Sequence, residues 1–409
     1  MAKASIGAVT VFLNAWWTTE ELDYALEDSG AQAVFADAPR LQRLLPIVRE
    51  KNVRLIGVRD GEAEAPDSIS ALMATITDAT RPIVEIDTDD DFAIMYSSGT
   101  TGHPKGVVQT HRGAISAVYT WLMTFLYIPL THNPNDPLPP EPGPPVIMVV
   151  TPLFHVTATH PMFLLSLPMG ARLVLQHKWD ADEAVRLINK ERVTRFLGVP
   201  TQSAELMQAA KRMGDDLKTL EYIGSGGAKR PAAQVAELDE TFPRATVASG
   251  WGMTETNAVG LGIAGPDYAE RPGSAGRLLP PLQDLKILDD DGNEVTNGEV
   301  GELTVKSPAN MRCYLNKPDA TKEVFEDGWL KTGDLATLDD DGYVTIVDRK
   351  KNIIIRGGEN IACLDVEGAL HRHPAIMEAG VFAVPDDRLG EVVGAGIQLR
   401  AGMTVNEEQ

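Results

Sequence analysis

Between Asp182 and Ala248 the chain alternates helical and extended segments with short connections, and this alternation constrains the fold more than any other feature. Asp182 to Arg192 reads as an amphipathic helix and Arg195-Phe196-Leu197-Gly198-Val199 as a strand. Gln202 to Met213 is helical, and Leu220-Glu221-Tyr222-Ile223 is a strand that ends in Gly224-Ser225-Gly226-Gly227. Ala232 to Phe242 and Ala245-Thr246-Val247-Ala248 repeat the pair. Such a rhythm predicts an α/β layer with a mostly parallel sheet, whose ligands sit beyond the carboxyl ends of the strands. The glycine-rich turns fall at those ends.

The first 90 residues carry the same signal. Thr18-Thr19-Glu20-Glu21 fits a capping box, Leu22, Ala25 and Leu26 share a helical face, and Gly30 stops the helix. Ala33-Val34-Phe35-Ala36 and Val53 to Val58 read as strands around a helix from Leu41 to Glu50. Pro129 to Pro145, rich in Pro and Asn, reads as a surface loop. From about Leu282 the texture changes to hairpins around Asp289-Asp290-Asp291-Gly292 and Asp339-Asp340-Asp341-Gly342, which predicts a small β-subdomain over about 282–347.

Bulk properties narrow the function. A chain of 409 residues exceeds one ordinary core, so two or three domains are expected. The net charge of -21 lacks the basic footprint that nucleic acid requires. An anionic ligand would need a local positive site within an acidic envelope. Cys313 and Cys363 are too few for a disulfide framework or a cysteine-rich zinc site and read as ordinary thiols. The absence of an apolar run of ~18–20 residues argues against a membrane span. The N-terminus, Met1-Ala2-Lys3-Ala4-Ser5, is too brief for a secretory signal, and a cytoplasmic protein is expected.

The most specific string is Tyr96-Ser97-Ser98-Gly99-Thr100-Thr101-Gly102-His103-Pro104-Lys105-Gly106. Small, hydroxylated and glycine residues let backbone N–H groups approach phosphate oxygens, and Lys105 adds a positive charge. The spacing of a Walker A loop does not fit. Three further clusters follow in order. They are Gly250-Trp251-Gly252-Met253-Thr254-Glu255-Thr256, then Thr332-Gly333-Asp334, then Asp348-Arg349-Lys350-Lys351 with Arg356-Gly357-Gly358-Glu359-Asn360-Ile361.

Together these resemble the signature motifs of the adenylate-forming superfamily, which contains acyl-CoA synthetases, luciferases and peptide-synthetase adenylation domains. The resemblance runs from about Gly7 to Gly402. It implies a large N-terminal domain of α/β layers with a small β-subdomain over 1–350, and a small, mobile α+β C-terminal domain, here partial, over 351–409. It implies that Ser97, Ser98, Gly99, Thr100, Thr101, Gly102 and Lys105 hold the pyrophosphate portion of ATP. Thr100 and Glu255 would hold Mg²⁺, a cation that prefers oxygen ligands. Gly226, Gly227, Ala228, Trp251, Gly252 and Met253 would enclose adenine, with Trp251 standing where the family often has Tyr. Thr254 would bond the α-phosphate, Asp334 both ribose hydroxyls, and Arg349 would support the same region. Lys351 would be the hinge, and His155, Gly357 and Gly358 would line the channel for acid and CoA.

The implied reaction is activation of a carboxylic acid, a fatty acid being the expected substrate, to an acyl-adenylate. Transfer to CoA as co-substrate then releases AMP. Amino-acid-activating relatives place an aspartate near Pro152–His155; Leu153-Phe154-His155-Val156 offers no carboxylate, which favours a plain acid. Alternatives are an acyl-AMP ligase that loads a carrier protein, and a nucleotide- or acyl-AMP-binding protein without full activity. The last is motivated by the resemblance itself. Relatives begin well before Gly7 and carry a late lysine that bridges carboxylate and α-phosphate, whereas no lysine follows Lys351. Slow adenylation with a better-preserved thioester step is the expectation. The oligomeric state stays open, a homodimer included.

Rival readings are weaker. Ile223 stands where a hydrolase elbow around Ser225 would need glycine. His155 and His160 lack a third metal ligand nearby, and His371 and His373 are expected on the surface of an amphipathic helix. The acidic turns lack the calcium-loop glutamate.

Overall fold

The computed structural model describes residues 4–78, 80, 82–97, 103–132, 143–386, 388–400 and 402–405, with the side chains of 126–132 excepted. A seven-stranded sheet forms its centre. In spatial order it runs Arg277–Leu278, Leu261–Ala264, Thr246–Trp251, Tyr222–Ser225, Arg195–Gly198, Val146–Val149 and Arg172–Leu175. The last five strands are mutually parallel, and the first two add on in antiparallel fashion.

The helices Ala181–Glu191, Pro200–Met213 and Ala232–Thr241 connect successive strands of this sheet. Asp180 caps the first by accepting from the Glu183 N–H, and Gly214, in the left-handed conformation, closes the second. Phe196 and Ile223 of the sheet are wholly buried with Ile188, Leu206 and Leu238 of the helices. Burial of each such side chain stabilises the fold by ~1.5–3 kcal/mol, so this core fixes the level at which the strands end.

A hairpin of Asp91–Ser97 with Lys105–Thr110 pairs Ser97 with Lys105, so the two ends of the phosphate-loop motif meet across one register step. Residues 98–102, with the predicted Ser98, Gly99, Thr100, Thr101 and Gly102, lie outside the described residues. Thr10–Phe12 and Cys313–Tyr314 complete that four-stranded sheet. A five-stranded antiparallel sheet of Asp284–Leu288, Gly301–Lys306, Phe325–Glu326, Trp329–Leu338 and Val344–Arg349 follows, and its register sets Asp334 opposite Arg349. Near the N-terminus, the capping box at Thr18 and the left-handed Gly30 bound the helix Thr19–Ser29. The C-terminal part is a smaller four-stranded sheet, with Ile376–Asp386 and Gly390–Leu399 as its long hairpin and the helix Cys363–Leu370 against it. The whole is a large α/β part with several sheets, followed by a smaller α+β part.

Three sequence expectations are corrected. The segment expected to be a loop from Pro129 is helical as far as His132, because the helix His111–His132 runs through that proline, and residues 133–142 of the expected loop lie outside the described residues. The helix's buried face of Ala114, Ala117 and Val118 holds it to the protein. The strand expected to end at Ala248 continues to Trp251, because Gly250 and Trp251 pair with Gly262 and Leu261. The helix expected to carry His371 and His373 stops at Leu370. His371 is its C-cap, and both histidines are partly buried in the turn that follows.

Candidate active site

Three of the parallel strands end side by side, and each hands the chain to a different wall of one cleft. Arg195–Gly198 leads to Val199 and Pro200, Tyr222–Ser225 to Gly226, Gly227 and Ala228, and Thr246–Trp251 to Gly252, Met253 and Thr254. The cleft has a volume of ≈ 1880 Å³. Among the predicted residues Ser97, Lys105, His155, Gly227, Ala228, Trp251, Gly252, Met253, Thr254, Glu255, Asp334, Arg349 and Lys351 all line it. Gly226 lines a smaller adjoining cavity instead. Gly357 and Gly358 form an exposed turn outside the lining, with the Gly357 N–H bonded to the Leu389 carbonyl at 2.7 Å.

The segment after Trp251 is tightly determined. A Cβ on Gly252 would lie 2.5 Å from the carbonyl of Ala258, so only glycine fits there. The Met253 N–H donates to Thr256 Oγ1 at 3.0 Å, and the Gln109 side chain donates to the Thr254 carbonyl at 3.1 Å. These bonds present the Thr254 hydroxyl to the cleft and turn the Glu255 carboxylate inward. Glu255 is buried and accepts from the Tyr314 hydroxyl at 2.9 Å. Lys105 Nζ sits 4.7 Å above the Tyr314 ring. Burial, with the Glu255 carboxylate beside it, pushes the Tyr314 phenol far above its ordinary value, so it stays a donor.

Asp334, 4% exposed, faces the same cleft from the antiparallel sheet. Trp251 Nε1 donates to its Oδ2 at 2.7 Å, and Arg349 Nε lies 3.3 Å from its Oδ1. Burial raises the carboxyl above the usual range, and Trp251 and Arg349 oppose that rise. Each carboxylate oxygen retains a second lone pair for an incoming donor. Trp251, expected to enclose adenine with its aromatic face, thus commits its indole N–H to Asp334.

Sequence reasoning missed Tyr314 and Gln109, whose importance arises only from contacts 59 and 145 residues away. It also missed Arg372 and Arg400, which line the cleft with His371 and His373 from the C-terminal side. The histidine metal readings fail. His160 is completely buried, and desolvation lowers its pKa to about 4, which leaves it neutral at ordinary pH. Among the described residues no three His, Cys, Asp or Glu gather as a metal cluster. Mg²⁺ needs less, because it keeps waters and phosphate oxygens around one or two carboxylates. Glu255 fits that demand: its Oε2 has no protein partner among the described residues, and it borders the cleft. Among the described residues no helix is long and apolar enough to cross a membrane.

The α/β scaffold thus brings a lysine, Lys105, and two buried carboxylates, Glu255 and Asp334, into one cleft at the ends of its parallel strands. The chain belongs to the AMP-binding enzyme family, AMP-forming acid–thiol ligases of the adenylate-forming superfamily, whose model matches residues 1–315, with the AMP-binding enzyme C-terminal domain matching 365–409. It is 31% identical to a 4-coumarate–CoA ligase-like protein of Arabidopsis thaliana, over 100% of this chain and 71% of that protein. It is 32% identical to a long-chain-fatty-acid–CoA ligase of Mycobacterium tuberculosis, over 96% of this chain and 73% of that protein. It is 33% identical to a feruloyl-CoA synthase of an Amycolatopsis species, over 100% of this chain and 77% of that protein. The structure resembles ATP-bound MatB from Rhodopseudomonas palustris, with a TM-score of 0.82 at 28% identity over 98% of this chain and 76% of that one. It also resembles o-succinylbenzoate CoA synthetase from Bacillus subtilis bound to its acyl-adenylate, with a TM-score of 0.81 at 29% identity over 98% and 75%.

Proposed function

We propose that the chain activates a compact carboxylic acid with ATP and passes the acyl group to CoA. The observation that carries this reading is the gathering in one cleft of two clusters, Lys105, Tyr314 and Glu255, and Trp251, Asp334 and Arg349. A smaller cavity adjoins the cleft through Trp251 and Gly252. In this reading Asp334 takes the ribose hydroxyls and Lys105 the pyrophosphate oxygens. Thr254 bonds the α-phosphate. Gly227 and Ala228 flank adenine, and the acid's body enters the smaller cavity.

A carboxylate oxygen of the acid attacks the α-phosphorus, and the bond to pyrophosphate breaks. The CoA sulfur then attacks the acyl carbon, and AMP leaves. No protein nucleophile is required; the residues position the reactants and place positive charge where negative charge develops. Mg²⁺ bound at Glu255 would neutralise phosphate charge. Tyr314 holds Glu255 in place by its hydroxyl, and Lys105 is held over the Tyr314 ring near the same oxygens. Cytoplasmic residence accords with this use of ATP and CoA. We place the hinge at Lys351, since Lys350 is tethered by Asp290 and Glu302 whereas Lys351 forms no ion pair among the described residues.

Of the relatives named above, one acts by its name on long-chain fatty acids and one forms feruloyl-CoA, while the third is named only as like a 4-coumarate–CoA ligase. The small volume of the adjoining cavity, ≈ 50 Å³, supports a compact acid over a long chain. The test is pyrophosphate release over a panel of short, long and aryl acids, then acyl-CoA formation with free CoA. Lys105→Ala and Glu255→Gln should lower turnover at least ~10²-fold with a Tm within ~3 °C of wild type. Formation of adenylate without transfer to free CoA would favour a carrier-protein acceptor. Nucleotide binding without pyrophosphate release would leave only a binding protein. A large loss of folding stability with intact ATP binding in either variant would overturn the assignment of those residues.

A further inference from the structure

The smaller cavity is apolar in most of its lining, with Met162, Leu165 and Leu197 among its walls, yet it holds an arginine. Arg195 is the first residue of a central parallel strand, and its guanidinium carbon lies 4.2 Å from the ring centre of Phe125 and 5.7 Å from that of Tyr222. Its side chain forms no ion pair or hydrogen bond among the described residues, and its buried Nε has no partner. Glu221, the acidic neighbour of Tyr222, is exposed and acts on the guanidinium only through its charge at longer range, with no ion pair between them among the described residues. Burial lowers the guanidinium's affinity for its proton.

Two more unpaired donors belong to walls of the same cavity. They are Trp121 Nε1 and Ser225 Oγ, the latter on a residue only 2% exposed. Buried donors are ordinarily paired, so each unpaired one requires a reason. Three in one cavity, one of them a desolvated cation, form a recognition surface for a hydrogen-bond acceptor. The cavity shares Thr157, Gly227, Gly250, Trp251 and Gly252 with the nucleotide cleft, so a molecule with its carboxyl group at the cleft would direct its far end inward.

We propose that Arg195 is a specificity-determining residue: it selects a compact acid whose remote end carries an acceptor oxygen, a second carboxylate or a phenolic oxygen, over the corresponding plain acid. This rests on the acid-activating reading above. The π-faces of Phe125 and Tyr222 hold the guanidinium in place, and a site with buried donors rejects a ligand that leaves them unpaired. Trp121 and Ser225 add unpaired donors to the walls of the same cavity.

The test uses matched acids: cinnamate, 4-hydroxycinnamate and 4-carboxycinnamate, then hexanoate against adipate. Two readouts are taken, calorimetric binding and kcat/KM from pyrophosphate release. The oxygen-bearing member of a set should be preferred at least about tenfold. The carboxylate and hydroxyl arms identify which oxygen is read. Arg195→Met, which keeps the length of the side chain but removes its donors, should collapse that ratio towards one without lowering Tm. If Arg195→Met does not fold, Ser225→Ala and Trp121→Phe should each reduce the ratio. Equal use of plain acids, absence of binding by every acid, or a ratio unchanged in these variants would overturn the proposal. Preferential binding without pyrophosphate release would sustain it and defeat the ligase reading instead. Pyrophosphate release without preference would do the reverse.

Discussion

At the scale of single residues, the buried polar groups divide by what they are tied to. Tyr314 is tied to Glu255, and the hydroxyl is the only part of the ring that reaches the carboxylate. Tyr314→Phe should therefore cost ~1 kcal/mol of stability, and turnover should fall about tenfold as Glu255 gains freedom. Equilibrium denaturation and pyrophosphate release measure the two effects; unchanged turnover would remove Tyr314 from the site. Asp334 is tied to Trp251 and Arg349, and burial makes its ionised form costly in the folded state. Its folded pKa is raised, so its ionisation opposes folding at any pH above the ordinary carboxylate range. Asp334→Asn should then hold or raise Tm at pH 7. ATP affinity should still drop at least tenfold, since charge-assisted bonds to two hydroxyls are worth ~1.5–3 kcal/mol each. Titration with ATP and with its 2′,3′-dideoxy analogue decides this, because full-strength dideoxy binding to the wild type would contradict ribose recognition. His160 gives the opposite sign on the acid side. Its pKa is lowered to about 4 in the fold, against ~6.5 in the unfolded chain. Between these values the unfolded state binds a proton that the folded state refuses. Stability should fall by ~1.4 kcal/mol per pH unit from this group alone, and the part is complete only above the unfolded pKa. Urea titrations at pH 6.5 and 5.5 should give a loss smaller by ~1 kcal/mol in His160→Gln, since the unfolded imidazole is already half protonated at the upper pH; equal losses would show that His160 takes up its proton in the native state.

At the scale of elements, what was legible in the sequence is what is local. The capping box at Thr18 and the stop at Gly30 are fixed within a few residues of each other, and both stand in the fold as read. The strand and helix alternation from Ala181 to Trp251 is likewise carried by period and by glycine. The helix His111–His132 was not legible, because its apolar residues run round more than one face and Pro129 lies within it. The course of the strand through Gly250 and Trp251 depends on a partner at Gly262 and Leu261. The pairings of Trp251 with Asp334 and of Tyr314 with Glu255 span 83 and 59 residues, and no local pattern encodes them. The join between the two parts of the chain is another such contact. The buried Asp348 accepts from the N–H of Arg349 at 2.6 Å and from that of Leu364 at 3.0 Å. One carboxylate thereby fastens the last strand of the antiparallel sheet to the first turn of the helix Cys363–Leu370. Asp348→Ala removes the acceptor of two part-buried donors, at ~1 kcal/mol each, and frees that turn. Limited proteolysis should then cut between residues 349 and 364 several-fold faster than in wild type, while the seven-stranded core stays resistant. Unchanged cleavage would mean that the turn is held from elsewhere.

At the scale of the whole molecule, the charge distribution opposes the ligands that the cleft is built for. The chain carries a net charge of -21, and ATP and CoA are polyanions. Cations that can meet them, among them Lys105, Arg349, Lys351, Arg372 and Arg400, stand in the cleft lining beside carboxylates such as Glu255, Glu302 and Asp334. An approaching nucleotide therefore meets a repulsive field first and individual cations only at contact. Salt separates the two, since the Debye length falls from about 30 Å at 0.01 M to about 8 Å at 0.15 M. Screening over that interval removes the long-range repulsion before it weakens contacts inside the cleft. The association rate for ATP should thus rise several-fold between about 0.01 and 0.15 M salt, contrary to the fall expected of a basic protein steering the same ligand. The dissociation rate should change less, because it is set by bonds formed at contact distance. Stopped-flow mixing followed by tryptophan fluorescence gives both rates, with Trp251 in the cleft as a reporter. An association rate that falls steadily from the lowest salt would show instead that the cleft cations govern the approach from far outside.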